Sequence, residues 1–444
     1  MRRGMLSIVL GLALAATACG GSGDSGGSGG AQQGGALQGQ RITVAAVWTG
    51  AEQDNFKKVL QAFEEKTGAK AEFLATGDNV STFIGTKIQG GQAPDVVMVP
   101  QVGVLQQFAR NGWLVPLSAD VAKEVDANYA KVWKDLGTVD GKFYGLYFKV
   151  ANKSTIWYNT QAFQNAGVQP PKTWDEFVRV SQQLADAGTA PMSIGAADGW
   201  VLTDWFENVY LSQAGPQKYD QLAKHEIKWT DPSVTKALQT LAELWSKPNF
   251  MPGGPQTALQ VEFPDSVSQV FSDEPKAAMV YEGDFVAGNI ATTGKKVGQD
   301  ANFFPFPAAP GGSQAPLVSA GDAAVVLKAG KNQQAAQEFV KFLATPDAAK
   351  VWATAGGFLS PNKKLDASAY PDDVTRQIAK QLIDAGDAVR FDMSDQAPAA
   401  FGGTKGAGEW KILQDFLGNL SDVQGAVQTT AQRLEQEATK AYGS

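Results

Sequence analysis

The sequence predicts an α/β protein built as two lobes. Three features predict it: strands and amphipathic helices alternate early in the chain, two extended stretches run together near its middle, and a Pro/Gly-rich segment follows later. The first lobe starts at "RITVAAVW" (41–48), a Val- and Ile-rich strand. "TGAEQDNFKKVLQAFEEKTG" follows, with Phe56, Val59, Leu60 and Phe63 at the i, i+3, i+4, i+7 spacing of a helix stripe. Thr49 and Glu52 have capping-box spacing, and Gly68 is a natural stop. "KAEFLAT" is a second strand. "APDVVMV" is a third, apolar enough for a buried parallel strand, and helix "VGVLQQFARNG" follows it. A mostly parallel sheet is expected.

In "GKFYGLYFKVANKSTIWYNT" (141–160) two extended stretches adjoin with no helix between, which reads as the chain leaving one lobe for the next. Helix "WDEFVRVSQQLADAG", strand "APMSIGA", helix "GWVLTDWFENVYLSQAG", helix "TKALQTLAELWSK" and strand "AAMVYEGD" come next. "FFPFPAAPGGS" is a second crossing, "DAAVVLKAG" a strand of the first lobe, and "FLSPNKK" a third crossing before a mainly helical tail. The expected divisions are 1–18, 19–40, 41–149 plus 308–356 for the first lobe, and 150–307 plus 357–444 for the second.

The start of the chain is of another kind. Arg2 and Arg3 precede an uncharged apolar run from Met5 to Ala18, which is shorter than the roughly 20 residues a spanning helix needs. A charged n-region and a short apolar h-region ending in small residues predict a signal peptide over 1–18. Cys19, the one cysteine of 444 residues, comes next. The arrangement resembles a bacterial lipobox, although Ala16 stands where leucine is usual; the resemblance implies cleavage before Cys19 and lipidation of its thiol. Gly20 to Gly35 is nearly all Gly, Ser, Gln and Ala, too poor in apolar surface to fold. A tether of this kind has an r.m.s. reach of roughly 25 Å.

Composition narrows the chemistry. A net charge of −7 argues against a nucleic-acid partner. With one histidine, His225, in a polar stretch, and no thiol past Cys19, a Cys–His pair and a multi-His metal site are excluded. No G-x-S-x-G serine elbow occurs past the tether. Chemistry using carboxylates alone survives these exclusions.

Ligands of open parallel sheets bind outside the carboxyl ends of the strands. In the first lobe those ends carry Trp48 with Glu52, then Asp78 and Asn79, then Gln101. The second lobe offers Trp200, Asp204, Trp205 and Glu207 after one strand, and Glu282 and Asp284 after another. Lys149, Asn152 and Asp322 belong near the crossings, and Asp392 and Asp395 to a late loop. Carboxylates and amides bind hydroxyls, and aromatic faces suit the weakly positive C–H face of a sugar ring. Asp95, after Pro94 at a strand start, reads as structural.

Order and spacing of "VWTGAEQDNFKKVLQAFEEKTG", "APDVVMVPQ", "TDWFENVYL", "FLSPNK" and "FDMSDQAPAAFG" resemble the extracellular solute-binding proteins of ABC transporters, notably those for α-glucosides and related oligosaccharides. The resemblance spans essentially the whole chain. It implies a periplasmic-binding-protein-like fold, two α/β lobes joined by a multi-strand hinge with the ligand cleft between them. It also implies a carbohydrate ligand, permease subunits as partners, no cofactor, no catalysis, a monomer, and a lipid anchor at the outer face of the cell membrane. It favours Trp205 as a ligand contact. The alternative is a secreted glycoside hydrolase or lyase, which needs two carboxyls about 5–10 Å apart; Glu52 with Glu282, or Asp204 with Glu207, are the candidate pairs. A polyamine binder would use similar residues.

Overall fold

A computed structural model describes residues 36–312, 315–385 and 388–443. The signal peptide, Cys19 and most of the tether lie outside the described residues. Among the described residues no helix is long and apolar enough to cross a membrane.

Two sheets organise the chain. The seven-stranded sheet runs in the order Arg390–Phe391, Val318–Leu327, Val96–Val99, Arg41–Ala46, Lys70–Ala75. Gly145–Asn152 and Leu114–Val115 also pair with Val318–Leu327. The first three strands of the chain are mutually parallel, as their buried βαβ pattern predicts. Val318–Leu327 then joins antiparallel to both Val96–Val99 and Gly145–Asn152, so the sheet is mixed. The four-stranded sheet runs Ala301–Pro305, Thr155–Asn159, Ala277–Glu282, Ala190–Ser193.

Only Lys153 and Ser154 separate Gly145–Asn152 in the larger sheet from Thr155–Asn159 in the smaller. The extended run over 141–160 is therefore a crossing, and all eight residues of its first strand are buried. The chain returns between Ala301–Pro305 and Val318–Leu327. The "FLSPNKK" segment meets the crossing strand edge-on: Val150 N donates to Leu359 O at 2.9 Å. Later the strand Arg390–Phe391 adds to the larger sheet, while helices Gly408–Gly418 and Val423–Tyr442 pack against Trp200–Ala223 and Pro232–Trp245 beside the smaller one. The segment between them straps the two halves. It lies so close to helix Val102–Arg110 that a Cβ on Gly103 would stand 1.8 Å from Ala397 O.

Local detail departs from the sequence reading in two places. Gly68 ends helix Gly50–Thr67 in the left-handed region at φ 76°, as expected. At the other end the capping box is not made: Thr49 caps nothing with its side chain, and the Glu52 carboxylate accepts from Lys149 instead. The helix from Trp200 runs on to Ala223 across a kink at Gly215 and Pro216. Asp95 is structural: it accepts Thr43 N and Asn332 N, tying two strand ends to a helix start.

Candidate functional site

A cleft of about 170 Å³ opens between the two sheets. Two roomier hollows, of about 410 and 440 Å³, gather no aromatic faces with their polar groups. One wall of the cleft comes from the carboxyl ends of the parallel strands, as strand topology requires. It carries Trp48 and Glu52 after Arg41–Ala46, Asp78 after Lys70–Ala75, and Gln101 after Val96–Val99. The floor is made by Lys149 and Ala151, alternate residues of the crossing strand, and Lys153 just past its end, together with Asp322 of the neighbouring strand. Gly321 lets the strands approach this closely; a Cβ there would stand 2.8 Å from the Tyr147 ring and 2.9 Å from Lys149 O. The opposite wall is aromatic: Trp200, Phe263, Phe285 and Trp410, with Asp198 and Asn289 among them.

Both floor lysines are paired. Lys149 Nζ lies 2.8 Å from Glu52 Oε1 and 4.0 Å from Asp322 Oδ2. It also faces the rings of Phe285 at 5.0 Å, Trp352 at 5.6 Å and Trp48 at 6.0 Å. Burial works against the Lys149 charge, but Glu52, Asp322 and Asp284 outweigh it and hold its pKa above the ordinary lysine value. Lys153 Nζ lies 2.7 Å from Asp392 Oδ2 and 3.1 Å from Asp204 Oδ1, over the Trp200 face at 5.3 Å. Burial opposes its charge too, and Asp204 and Asp392 more than offset that.

Burial raises the remaining acids selectively. Asp322 is pushed up to about 6 and Asp284 to about 7, in each case by burial that Lys149 only partly offsets. Burial and the neighbouring Asp392 charge push Asp395 well above the carboxylate range. Asp204, Glu207 and Glu282 are raised by burial and by the Asp392 charge, Glu207 and Glu282 also by Asp204. Asp392 is the exception: burial pushes it up, yet Lys153 and the groups that donate to it hold it at about 2. Asp204, Glu207 and Asp392 bring ligand oxygens within 4.8 Å of one another, which is metal-like spacing. Those oxygens are already engaged. Glu207 accepts from Tyr219, Met393 N and Ser394 N, and Asp392 from Lys153, Ser394 Oγ and Asp395 N. The ammonium of Lys153 is the cation this cluster holds.

Of the residues singled out from the sequence, Trp48, Glu52, Asp78, Gln101, Lys149, Trp200, Asp322 and Asp395 line the cleft. The others do not. Asn79 accepts Lys405 N at 2.9 Å. Asn152 and Asp284 bond each other through Asn152 N and Asp284 Oδ1. Glu207 and Asp392 are sealed in the network around Lys153, and Glu282 is fully buried. Trp205 is 1% exposed and packs on Tyr281, Phe306 and Trp245. Five residues is about 140° around a helix, so the face that puts Trp200 in the cleft turns Trp205 into the core. Lys153, Asp198, Phe263, Phe285, Asn289 and Trp410 join the lining without having been picked out. Lys153 was legible from its place four residues after Lys149 at the crossing; Trp410 arrives from the far end of the chain with no local signal.

Two α/β halves joined by crossing strands, with a cleft at the strand ends between them, define a periplasmic-binding-protein-like molecule. The chain belongs to the bacterial extracellular solute-binding proteins, whose family model matches residues 48–350. It is 33% identical over 392 residues to the osmoprotective compounds-binding protein GgtB of Synechocystis, covering 87% of this chain and 90% of that one. It is also 33% identical over 413 residues to the alpha-glucosides-binding periplasmic protein AglE of Rhizobium meliloti, covering 89% and 88%. Among solved structures it shares its fold with the bacterial solute receptor AcbH, at TM-score 0.76 and 22% identity over 91% of this chain and 99% of that chain. The maltotriose binding protein of Thermus thermophilus matches at TM-score 0.68 and 20% identity over 89% and 99%.

Proposed function

We propose that this protein captures a neutral sugar, an α-glucoside di- or oligosaccharide, by closing its two lobes and presents it to the permease of an ABC importer. The lobes are assigned as 41–149 plus 308–356 and 150–307 plus 357–444, with the crossing strand continuous through the junction. In this reading Cys19 carries the lipid that holds the protein at the outer face of the membrane, and the body works as a monomer without cofactor or catalysis.

The observation that carries the sugar reading is the charge state of the cleft. Glu52 neutralises Lys149, Asp204 and Asp392 neutralise Lys153, and Asp78 and Asp198 share Lys405. Asp322 shares Lys149 with Glu52, at 4.0 Å, and burial and the Asp392 charge raise Asp395 above the ordinary carboxylate value. A polyamine or a carboxylate ligand would have to displace an existing partner; a polyol does not. Gln101 Oε1 is buried without a hydrogen-bond partner, and an unpaired buried acceptor costs about 1–3 kcal/mol until a hydroxyl supplies the donor. The aromatic wall offers faces for sugar C–H groups. The names of GgtB and AglE point to small osmolytes and α-glucosides. The hydrolase reading has less support, because Glu282, Asp204 and Glu207 do not line the cleft and Glu52 is held by Lys149.

A thermal-shift screen with maltose, trehalose, longer α-glucosides and spermidine, combined with product analysis, tests this. A bound sugar at a hundred times its Kd adds about 2.7 kcal/mol. Stabilisation by α-linked sugars with the sugar recovered intact is expected. Turnover, or stabilisation by spermidine alone, overturns the reading.

A further inference from the structure

Lys405 sits on the loop between the strap and helix Gly408–Gly418 and touches both walls of the cleft. Its Nζ lies 2.8 Å from Asp78 Oδ2 and 3.1 Å from Asp198 Oδ1. Asp78 follows strand Lys70–Ala75 of the larger sheet, and Asp198 precedes helix Trp200–Ala223 on the side of the smaller one. Asp198 is tied to its own side, its Oδ2 accepting Phe263 N at 2.8 Å, and the Lys405 backbone is held to the other, its N–H donating to Asn79 Oδ1 at 2.9 Å. Both carboxylates line the cleft, so the bridge spans its mouth.

The loop is built to reach. Gly406 and Gly408 take left-handed backbone, at φ 80° and 52°. A Cβ on Gly408 would stand 2.1 Å from Phe401 O. Beyond the loop, Trp410 packs on Gly199, where a Cβ would stand 2.5 Å from the Trp410 Cβ. Drawing Asp78 and Asp198 apart must therefore break at least one side of the bridge. The bridge thus joins the two walls of the cleft as they stand in this structure.

We infer that Lys405 is a clasp residue: it bridges Asp78 and Asp198 across the cleft mouth, favours the closed arrangement before ligand arrives, and slows ligand escape afterwards. This rests on the reading that the two lobes close on a ligand. The lysine side chain is 40% exposed and Asp78 26%, so salt screens the bridge. Pairs of this exposure set a modest bias, an open-to-closed ratio about threefold to tenfold lower than without the bridge.

The test is acrylamide quenching of tryptophan fluorescence in the full chain without ligand, since Trp48, Trp200 and Trp410 line the cleft. In the wild type, quenching should rise as salt goes from about 0.05 M to about 0.5 M. K405M should show the high-salt level throughout, D198N should do the same, and the double variant should add nothing further. A wild-type salt response retained in K405M, or additive effects in the double variant, overturns the inference. Maltose dissociation followed in the same samples should be several-fold faster for K405M. The ligand-free arm contains no sugar, so a failed sugar screen alongside salt-dependent quenching would remove the ligand assignment and leave the clasp.

Discussion

Replacing Lys153 with methionine removes the cation on which the buried acids beneath the cleft depend. The wild-type ammonium lies 2.7 Å from Asp392 and 3.0 Å from Asp204, with 9% of the lysine side chain and none of either acid exposed. Methionine keeps most of the volume and leaves the carboxyls without a partner charge. Breaking a buried pair from one side costs about 3–5 kcal/mol. A body of about 400 residues unfolds with an entropy of about 0.85 kcal/mol/K, so a loss of about 4 kcal/mol lowers Tm by about 5 °C. The pH dependence has a defined sign. Asp392 is held at about 2 against an ordinary 3.8, so its contribution is present above pH ~4 and is lost as pH falls toward 2. K153M forfeits that contribution. Scanning calorimetry of K153M should therefore show a deficit of about 5 °C at pH 7 that narrows as pH drops from about 4 toward 2. The double variant K153M/D392N, which removes the stranded Asp392 charge as well, should recover part of the loss. A K153M protein within about 1 °C of wild type at pH 7 would refute the account.

The other predictions use different parts of the cleft. Asp284 is raised to about 7, so its favourable contribution is complete below pH ~4 and disappears as pH rises through 7. D284N should flatten that decline and gain about 4 kcal/mol over wild type at pH 8, read as a Tm about 5 °C higher. Trp200→Ala should weaken sugar binding at least tenfold in isothermal titration with little change in Tm, whereas Trp205→Ala should lower Tm by about 4–6 °C for a loss of about 3–5 kcal/mol. Gly103→Ala drives a methyl into Ala397 O, and should cost about 3 kcal/mol or prevent folding.

Elements with a strong period were legible in the sequence. The stripe of Phe56, Val59, Leu60 and Phe63 is fully buried, and "APDVVMV" is the central strand its apolar run implies. Strand-end logic found the first wall, because a residue just past a parallel strand has one place to go: Trp48, Asp78 and Gln101 all reach the cleft. It failed for the second wall, where side-chain direction depends on helix phase and kink. Trp200 and Trp205 carry the same chemistry in one helix and face opposite ways. Glu282 and Asp284 follow a strand as Asp78 does, but their strand lies against the crossing and both are covered. Trp410 and Lys405 were beyond reach, since what aims them is a glycine-rich loop more than 200 residues from Asp198.

The floor of the cleft shows how four residues of spacing at a crossing can join two halves. Lys149 lies in the crossing strand and Lys153 just past its end. Lys149 is fixed to Glu52 of the first helix and to Asp322 of the larger sheet. Lys153 is fixed to Asp204 of the helix beside the smaller sheet and to Asp392 of the strap. Each half thus holds one lysine of the crossing that connects them, and both lysines are neutralised where they face the cleft. A single substitution at either position should disturb two properties at once, the anchoring of the crossing to one half and the charge seen by the ligand. Lys149→Met would leave Glu52 facing the ligand unpaired, so it should shift preference from a neutral glucoside toward spermidine. A competition titration with the two compounds reads that exchange directly, and an unchanged preference would show that Glu52 is not what Lys149 keeps in check.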